Sequence, residues 1–320
     1  WDAEKCTQCN QCATLCTHVC IRPFLLDAEE VKKAPATFKS VPAVGDELKG
    51  LNFRIQVSAM DCSSCEVCAV NCPTNALTMT NFREVGERES KNWEYAMTLT
   101  NKGNLVDKTT VKGCAFQTPM LEFPGACAGC GETQAVRILT QLFGTRLMVA
   151  NAMGCSRVWG GTFASNPYTI NARGQGPAWG SSLFEDNAEF GFGMMTSTLI
   201  KRRNLATRVQ RILKDDSIPK SKELCASLQT WLENPRDADK CEACYDNCVK
   251  LLADEKKNHK ELALLEEVID VMPKLTQWVI GGDGWAYDIG YGGVDHVLAQ
   301  GEDINILVLD TEMYANTGGQ

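Results

Sequence analysis

The spacing of apolar positions predicts alternating strands and helices in two stretches of the chain. Residues 133–143 carry apolar side chains at helical spacing, and LMVANAMG at 147–154 is an apolar run ending in a glycine turn, as a buried strand does. Further on, QWVIGG at 277–282 and INILVLD at 304–310 are predicted strands, with a helix near 293–300 between them. This order predicts a parallel sheet and an α/β fold.

The stretch between these two regions has a different character. Leu262, Leu265, Val268 and Ile269 recur at helical spacing within a charged sequence, so residues 196–275 are predicted to form an antiparallel helical insertion. Residues 160–195 are rich in glycine and aromatic side chains and poor in charge, which is typical of binding loops.

The first part of the chain carries weaker patterns. Alternating stretches such as WEYAMTLT at 93–100 predict strands and hairpins over residues 83–115, and the proline-containing segment 34–50 predicts an extended loop. The pattern changes near 116–126. We therefore predict two domains, residues 1–115 and 116–320, the second with its helical insertion at about 196–275.

Composition changes this picture in one respect, because 17 of the 320 residues are cysteine. Clustered cysteines in a long chain favour metal clusters over disulfides, and iron–sulfur ligation implies a reducing, low-oxygen compartment. The net charge of −8 argues against a nucleic-acid partner. No apolar run of about 18 residues occurs, so no membrane span is expected.

Two cysteine runs share the spacing C-x2-C-x2-C-x3-C, which is the signature of bacterial two-cluster ferredoxins. In such runs the fourth cysteine ligates the other cluster. The spacing thus predicts one [4Fe–4S] cluster on Cys6, Cys9, Cys12 and Cys72, and a second on Cys62, Cys65, Cys68 and Cys16. Two zinc sites or disulfides are the alternatives, and eight cysteines in register argue against them.

The remaining cysteines differ in what they predict. Cys20 is predicted to be a buried thiol, and His18 a hydrogen-bonding neighbour rather than an iron ligand. For the helical cysteines Cys241, Cys244 and Cys248, unligated thiols or a disulfide are favoured over a metal site. Such a metal site would need Cys225 or His259 as its fourth ligand. A further pair in GACAGCGET, Cys127 and Cys130, is too small to hold a cluster alone.

A second motif, GGDGWAYDIG at 281–290, resembles the thiamine diphosphate-binding motif. Magnesium bound to a diphosphate needs hard oxygen ligands, and Asp283 supplies a carboxylate. Gly282 and Gly284 let the backbone approach the phosphates. Thr311 and the Met313 carbonyl can complete the coordination shell of the magnesium ion. Asn316 follows them in the sequence, close to the cofactor. The alternative is a tight strand-to-helix turn.

A two-cluster ferredoxin module joined to a thiamine diphosphate module resembles the pyruvate:ferredoxin oxidoreductase family. The resemblance is close over FPGACAGCGET at 123–133, ANAMGCSRVWGG at 150–161 and the whole of 281–320. It implies an α+β ferredoxin-like domain with two [4Fe–4S] clusters, followed by an α/β thiamine diphosphate-binding domain with a parallel sheet and a helical insertion.

The resemblance also implies roles for individual residues. A third [4Fe–4S] cluster beside the thiamine would take Cys127, Cys130 and Cys155, with its fourth cysteine expected beyond residue 320. Magnesium would take Asp283, Thr311 and Met313, and Asn316 would act in catalysis by hydrogen-bonding developing charge. Cofactor contacts are implied for Glu132, Cys155, Gly282, Asp283, Gly284, Trp285, Thr311, Glu312, Met313, Tyr314, Ala315 and Asn316.

The implied reaction converts pyruvate and coenzyme A to acetyl-coenzyme A and carbon dioxide, with electrons passing through three clusters to ferredoxin or flavodoxin. The family implies a homodimer, in the cytoplasm or in a hydrogenosome-like organelle. The alternatives are another 2-oxoacid substrate, a pyruvate:NADP oxidoreductase with a fused flavoprotein reductase, or an electron-transfer module with a vestigial thiamine site. In this family the glutamate that activates the thiamine lies in an N-terminal domain, and the substrate-binding arginine is likewise expected outside residues 1–320. This segment alone is therefore not expected to turn over.

Overall fold

The computed structural model describes residues 1–161, 166–171, 173–316, 318 and 319. The chain divides into two compact units by its internal contacts: one comprises Trp1–Thr145, Met153–Ala178 and Leu309–Gln320, and the other Arg146–Ala152 and Trp179–Val308. These units interleave along the sequence. They are groupings in space, so the predicted domain boundary near residue 115 stays a prediction.

The first unit contains a three-stranded antiparallel sheet in the order β1-β3-β2. Strand β1 (Ile21–Leu26) pairs along its whole length with β3 (Asn52–Val57), and the short β2 (Val41–Pro42) pairs with the other edge of β3. The predicted extended loop over 34–50 holds only β2 and one short turn. The flanking strands β1 and β3 were not predicted, because each is recognisable only by its pairing with the other.

Seven helices accompany this sheet in the described part of the first unit. They are α1 (Gln11–Leu15), α2 (Ala28–Lys33), α3 (Val67–Val70), α4 (Phe82–Ala96), α5 (Val111–Phe116), α6 (Thr133–Phe143) and α7 (Cys155–Gly160). Helix α6 has the bounds predicted from its apolar spacing.

Helix α4 corrects the strands predicted around residues 93–100. Asn81 precedes and caps this helix, because its side chain accepts a hydrogen bond from the Arg83 N–H at 3.0 Å. Its buried positions include Asn92 and Ala96. Because the surface of α4 is mostly polar, its helical pattern of apolar residues is weak. The aromatic residues Trp93 and Tyr95, two positions apart, therefore produced the alternating pattern that is typical of a strand.

The second unit is built on a four-stranded sheet in the order β5-β4-β6-β7. Its strands are β4 (Leu147–Asn151), β5 (Ala178–Gly180), β6 (Thr276–Gly282) and β7 (Asn305–Leu309), and α12 (Tyr291–Ala299) lies between β6 and β7 in sequence. Strand β4 pairs in parallel with β6, with Leu147 opposite Thr276 and Asn151 opposite Ile280. The predicted α/β architecture with a parallel sheet is confirmed.

The helical insertion consists of α8 (Asn187–Lys214), α9 (Lys222–Glu233), α10 (Ala238–Glu255) and α11 (Lys260–Glu266). Helix α8 begins inside the stretch 160–195, so the predicted binding loops are shorter than expected. Leu262, Leu265 and Ile269 are buried in the core of the insertion, whereas Val268 is exposed. No helix in the described ranges is long and apolar enough to cross a membrane.

The three helical cysteines line the interior of this insertion. Cys241, Cys244 and Cys248 are free thiols and are at most 5% exposed. The Cys241 thiol donates a hydrogen bond to the Asn234 carbonyl at 3.4 Å. They pack with the apolar side chains around them, and this burial favours the interpretation as unligated core thiols.

Candidate iron–sulfur and cofactor sites

The two ferredoxin-type cysteine runs follow the same backbone course. In the first run Gln8 and Asn10 have left-handed φ angles of 58° and 63°, and at the corresponding positions of the second run Ser64 and Glu66 have 54° and 63°. Residues other than glycine adopt this conformation rarely. Alternating left- and right-handed residues turn backbone N–H groups to one side, which forms a concavity suited to an anion.

Backbone N–H groups also reach the cysteine sulfurs themselves. The N–H of Cys20 donates to the Cys16 sulfur at 3.2 Å, and the N–H of Ala76 donates to the Cys72 sulfur at the same distance. Cys16 and Cys72 are the fourth cysteines of the two runs. Hydrogen bonds to the ligating sulfurs are one means by which proteins tune iron–sulfur clusters, so these residues fit such clusters.

The fold gathers the eight cysteines into the two crossed groups that the spacing predicts. Cys72 lines one pocket together with Cys6, Cys9 and Cys12. In the other group the pKa of the Cys68 thiol is raised to about 11, mainly by burial and in addition by the charges of Cys16, Cys62 and Cys65. Cys16 therefore lies with the second run and Cys72 with the first.

Within the described residues, no group of three or more His, Cys, Asp or Glu side chains closes around a single metal ion. A [4Fe–4S] cluster does not require this, because each thiolate binds a different iron atom. The assignment of all these cysteines as ligands stays a prediction.

A third group forms at the Cys127–Cys130 loop. Burial raises the pKa of the Cys155 thiol, and the charges of Glu132, Cys130 and Cys127 raise it further. Cys155 begins α7, which places it near the pair although they are distant in sequence. The structure thus brings together the three cysteines that the resemblance assigns to the cluster beside the thiamine.

Glu132 has a partner that the sequence analysis missed. Its carboxylate accepts a hydrogen bond from the Trp159 indole N–H at 2.9 Å. Trp159 is buried and lies one helical turn after Cys155 on α7. That spacing, i to i+4 from a predicted ligand, was the available signal for Trp159.

His18 connects the ferredoxin-type loops to the segment before Cys127. Its Nε2 donates to the Ala126 carbonyl at 3.0 Å, and its Nδ1 lies at hydrogen-bonding distance from the hydroxyls of Thr17, 2.8 Å, and Ser63, 3.1 Å. A carbonyl oxygen can only accept, so the Nε2 atom carries the proton of this hydrogen bond. Thr17 and Ser63 each follow a cysteine of the second group.

The Cys127–Cys130 loop also lies directly against the second group. A Cβ added to Gly129 would be 3.9 Å from the Cβ of Cys65 and 3.8 Å from the Val67 side chain. Gly129 has a φ of 77°, which favours glycine. The loop therefore approaches Cys65 at van der Waals distance.

The predicted thiamine residues of the second unit lie after β6. Asp283 is half-buried, and one of its oxygens accepts from the Gly284 N–H at 3.2 Å. A π-helical turn, Trp285–Ile289, follows before α12. Trp285 is a core residue, 3% exposed, and a Cβ on Gly281 would meet its ring at 2.5 Å. Its predicted contact with a cofactor stays a prediction.

The predicted thiamine residues of the first unit lie in the loop after β7. Glu312 has a left-handed φ of 58°, and the Thr311 hydroxyl donates to the Met313 carbonyl at 3.2 Å. Two predicted magnesium ligands are thus adjacent in this loop, and hard oxygen donors of this kind suit magnesium. Tyr314 is half-buried, whereas Ala315 and Asn316 are exposed.

The described residues therefore combine three groups of closely placed cysteines with a parallel α/β sheet. No family model matches the chain. It is similar over its full length to pyruvate:ferredoxin oxidoreductase of Moorella thermoacetica, at 48% identity. Over its full length it is also 48% identical to the pyruvate-flavodoxin oxidoreductase of Klebsiella pneumoniae and to the mitochondrial pyruvate dehydrogenase [NADP(+)] of Euglena gracilis.

The chain spans 28% of the Moorella protein, 27% of the Klebsiella protein and 18% of the Euglena protein. It is homologous, along its entire length, to one segment of the pyruvate:ferredoxin/flavodoxin oxidoreductases and of their NADP-linked relatives. The resemblance inferred from the motifs is confirmed.

Proposed function

We propose that this chain is the electron-relay segment, and part of the thiamine diphosphate site, of an enzyme that oxidises pyruvate. The full reaction takes pyruvate and coenzyme A to acetyl-coenzyme A and carbon dioxide and releases two electrons. Three [4Fe–4S] clusters would carry these electrons to ferredoxin or flavodoxin. The observation that carries the proposal is the position of the Cys127–Cys130 loop against Cys65, because electron transfer needs clusters that are close together.

The order of the relay follows from the contacts within the first unit. The group of Cys127, Cys130 and Cys155 would receive an electron first. Its loop lies against Cys65, so the group that contains Cys16 comes next. Helix α1 contains Cys12 and ends at Leu15, directly before Cys16, so the group that contains Cys12 would be the third.

The residues around the thiamine site have separable tasks. When bound, thiamine diphosphate supplies the carbanion chemistry that allows a 2-oxoacid to lose carbon dioxide. Asp283, Thr311 and Met313 would hold its magnesium ion. The exposed amide of Asn316 would donate a hydrogen bond to developing negative charge. Trp159 would orient the Glu132 carboxylate through their hydrogen bond.

A second candidate function differs only in the final electron acceptor. The Euglena relative and the pyruvate dehydrogenase [NADP(+)] of Cryptosporidium parvum, 46% identical, match this chain about as well as the ferredoxin- and flavodoxin-linked proteins do. A pyruvate:NADP oxidoreductase is therefore equally compatible with residues 1–320. Flavin bound to the full protein would favour this candidate.

Iron content tests the proposal. In the full protein, purified without oxygen, three clusters require about twelve iron atoms per chain and two require about eight. We expect about twelve, and about eight after Cys155→Ser. The control is Cys225→Ser, which changes a half-exposed cysteine outside the three groups and should leave about twelve. About eight iron atoms in the unmodified protein would contradict a three-cluster relay.

A further inference from the structure

Arg137 on α6 is a buried cation that the proposed relay does not use. Its side chain is enclosed, with the residue 2% exposed. Among the ion pairs between described residues, none involves Arg137. An unpaired buried charge is unfavourable unless its surroundings compensate for it. The groups that surround the Arg137 guanidinium therefore show which part of the protein its charge acts on.

The hydrogen bonds of Arg137 lead to α1. One terminal nitrogen donates to the Ala13 carbonyl, and the other donates to the Thr14 carbonyl at 2.7 Å. From the same face of α6, the Gln134 amide donates to the Leu15 carbonyl at 3.1 Å. These carbonyls lie in the last turn of α1, where the regular hydrogen bonds of the helix run out. The Ala13 carbonyl also accepts from the Cys16 N–H at 3.4 Å.

Helix α1 contains Cys12 of one crossed group and ends directly before Cys16 of the other. Burial lowers the pKa of the Arg137 guanidinium to about 10, while the nearby charges of Cys16, Cys114 and Cys12 act to raise it. The guanidinium thus stays protonated at neutral pH. It lies within electrostatic reach of Cys16 in one group and Cys12 in the other.

Other charged groups near Arg137 do not cancel its field. Arg22 is the second cation there and acts against protonation of Arg137. Arg22 is itself paired with the Glu122 carboxylate at 2.6 Å. Of these two cations, Arg137 is therefore the one without a carboxylate partner among the described residues.

We propose that Arg137 is a fixed cation that raises the reduction potentials of the two ferredoxin-type clusters together. Each cluster gains one electron and no proton on reduction, so its negative charge increases by one. A positive charge in a surrounding of low dielectric constant stabilises that reduced state. Because Arg137 acts on a ligand of each cluster, it would keep both potentials high enough to accept electrons from the cluster at Cys127.

The test is a redox titration of the full protein, with mediators supplying the electrons and electron paramagnetic resonance measuring the reduced clusters. For Arg137→Gln we expect the ratio of reduced to oxidised ferredoxin-type clusters to fall about tenfold at a given solution potential, which is 59 mV for one electron. Arg137→Lys keeps the charge and should titrate much closer to the unmodified protein. Arg83→Gln removes an exposed charge from the same unit and should cause no comparable shift.

This inference rests on the proposed clusters, so iron is measured first. An unmodified protein that lacks the ferredoxin-type clusters would contradict the proposed function. Clusters that are present in Arg137→Gln and titrate as in the unmodified protein would overturn the role of Arg137 alone.

A second variant keeps the test decisive if Arg137→Gln loses its clusters. Gln141→Glu would place a carboxylate one helical turn from Arg137, in the cavity that both residues line. It should lower both potentials, and unchanged potentials would again overturn the proposal.

Discussion

At the scale of single residues, His18 illustrates how two loops distant in sequence are joined. Its ring bonds to Thr17 and Ser63 on one side and to the Ala126 carbonyl, 108 residues away in sequence, on the other. Sequence reasoning identified His18 as a hydrogen-bonding neighbour because it lies near Cys16. It could not identify the Ala126 carbonyl as a partner, because that contact depends on how the folded chain brings residue 126 back to residue 18.

His18→Phe should loosen the loop that carries Cys127. The substitution leaves the Ala126 carbonyl without its donor, at a cost of roughly 1–3 kcal/mol. Such a cost raises the population of the opened loop about fivefold or more. We expect the cluster at Cys127 to be lost correspondingly faster when the full protein is exposed to oxygen, as followed by visible absorbance and iron content.

The same substitution at an exposed histidine is the control for this experiment. His296 is exposed on α12 and contacts Gln300, the residue that follows this helix. His296→Phe should leave the rate of cluster loss unchanged. Equal rates in the His18 and His296 variants would show that the hydrogen bonds of His18 do not hold the loop.

At the scale of elements, the end of β6 depends on a glycine that only close packing explains. A Cβ on Gly281 would lie 2.5 Å from the Trp285 ring and 2.7 Å from the Ala152 side chain. By contrast, a Cβ on Gly292 of α12 would meet nothing within 4 Å. The glycines in the motif and in the helix that follows it therefore have different physical tasks.

Gly281→Ala should destabilise the second unit, since overpacking of this kind costs roughly 1–3 kcal/mol. Gly292→Ala should be neutral or stabilising, because alanine favours helix over glycine by roughly 1 kcal/mol. Thermal unfolding of the two variants measures the difference. If Gly281→Ala melts no lower than Gly292→Ala, the Trp285 ring is free to move and the packing argument is wrong.

The elements also show which patterns were informative. Helix α6 and strands β4, β6 and β7 were predicted because each carries a long apolar pattern of one period. Helix α4 was misread because it buries few side chains, so its short aromatic alternation outweighed a weak helical signal. Strands β1 and β3 were missed because their pairing joins segments that are well separated in sequence.

At the scale of the whole molecule, the chain corresponds to only part of the proteins that it resembles, 18–28% of the lengths of the relatives compared above. We expect residues 1–320, reconstituted with iron and sulfide, to release no electrons from pyruvate. The reason is that the activating glutamate and the substrate-binding arginine of the family are expected elsewhere. Reduction of a dye by pyruvate and coenzyme A measures this.

In the matched control a chemical reductant replaces pyruvate as the source of electrons. The reconstituted clusters should still pass these electrons to the same dye. Pyruvate-dependent dye reduction by residues 1–320 alone would show that this chain holds a complete active site.

By itself, the sequence determined the parts of the protein that depend on local spacing. The cysteine runs, the crossed grouping and the parallel strands could all be read from residue types at short intervals, because a cluster loop or a strand is built from neighbouring residues. Only the tertiary structure decided the contacts that connect these parts. Arg137 beneath α1, His18 on Ala126 and Gly129 against Cys65 each join residues more than 60 positions apart. Such contacts arise from packing of the folded chain, which leaves no period in the sequence.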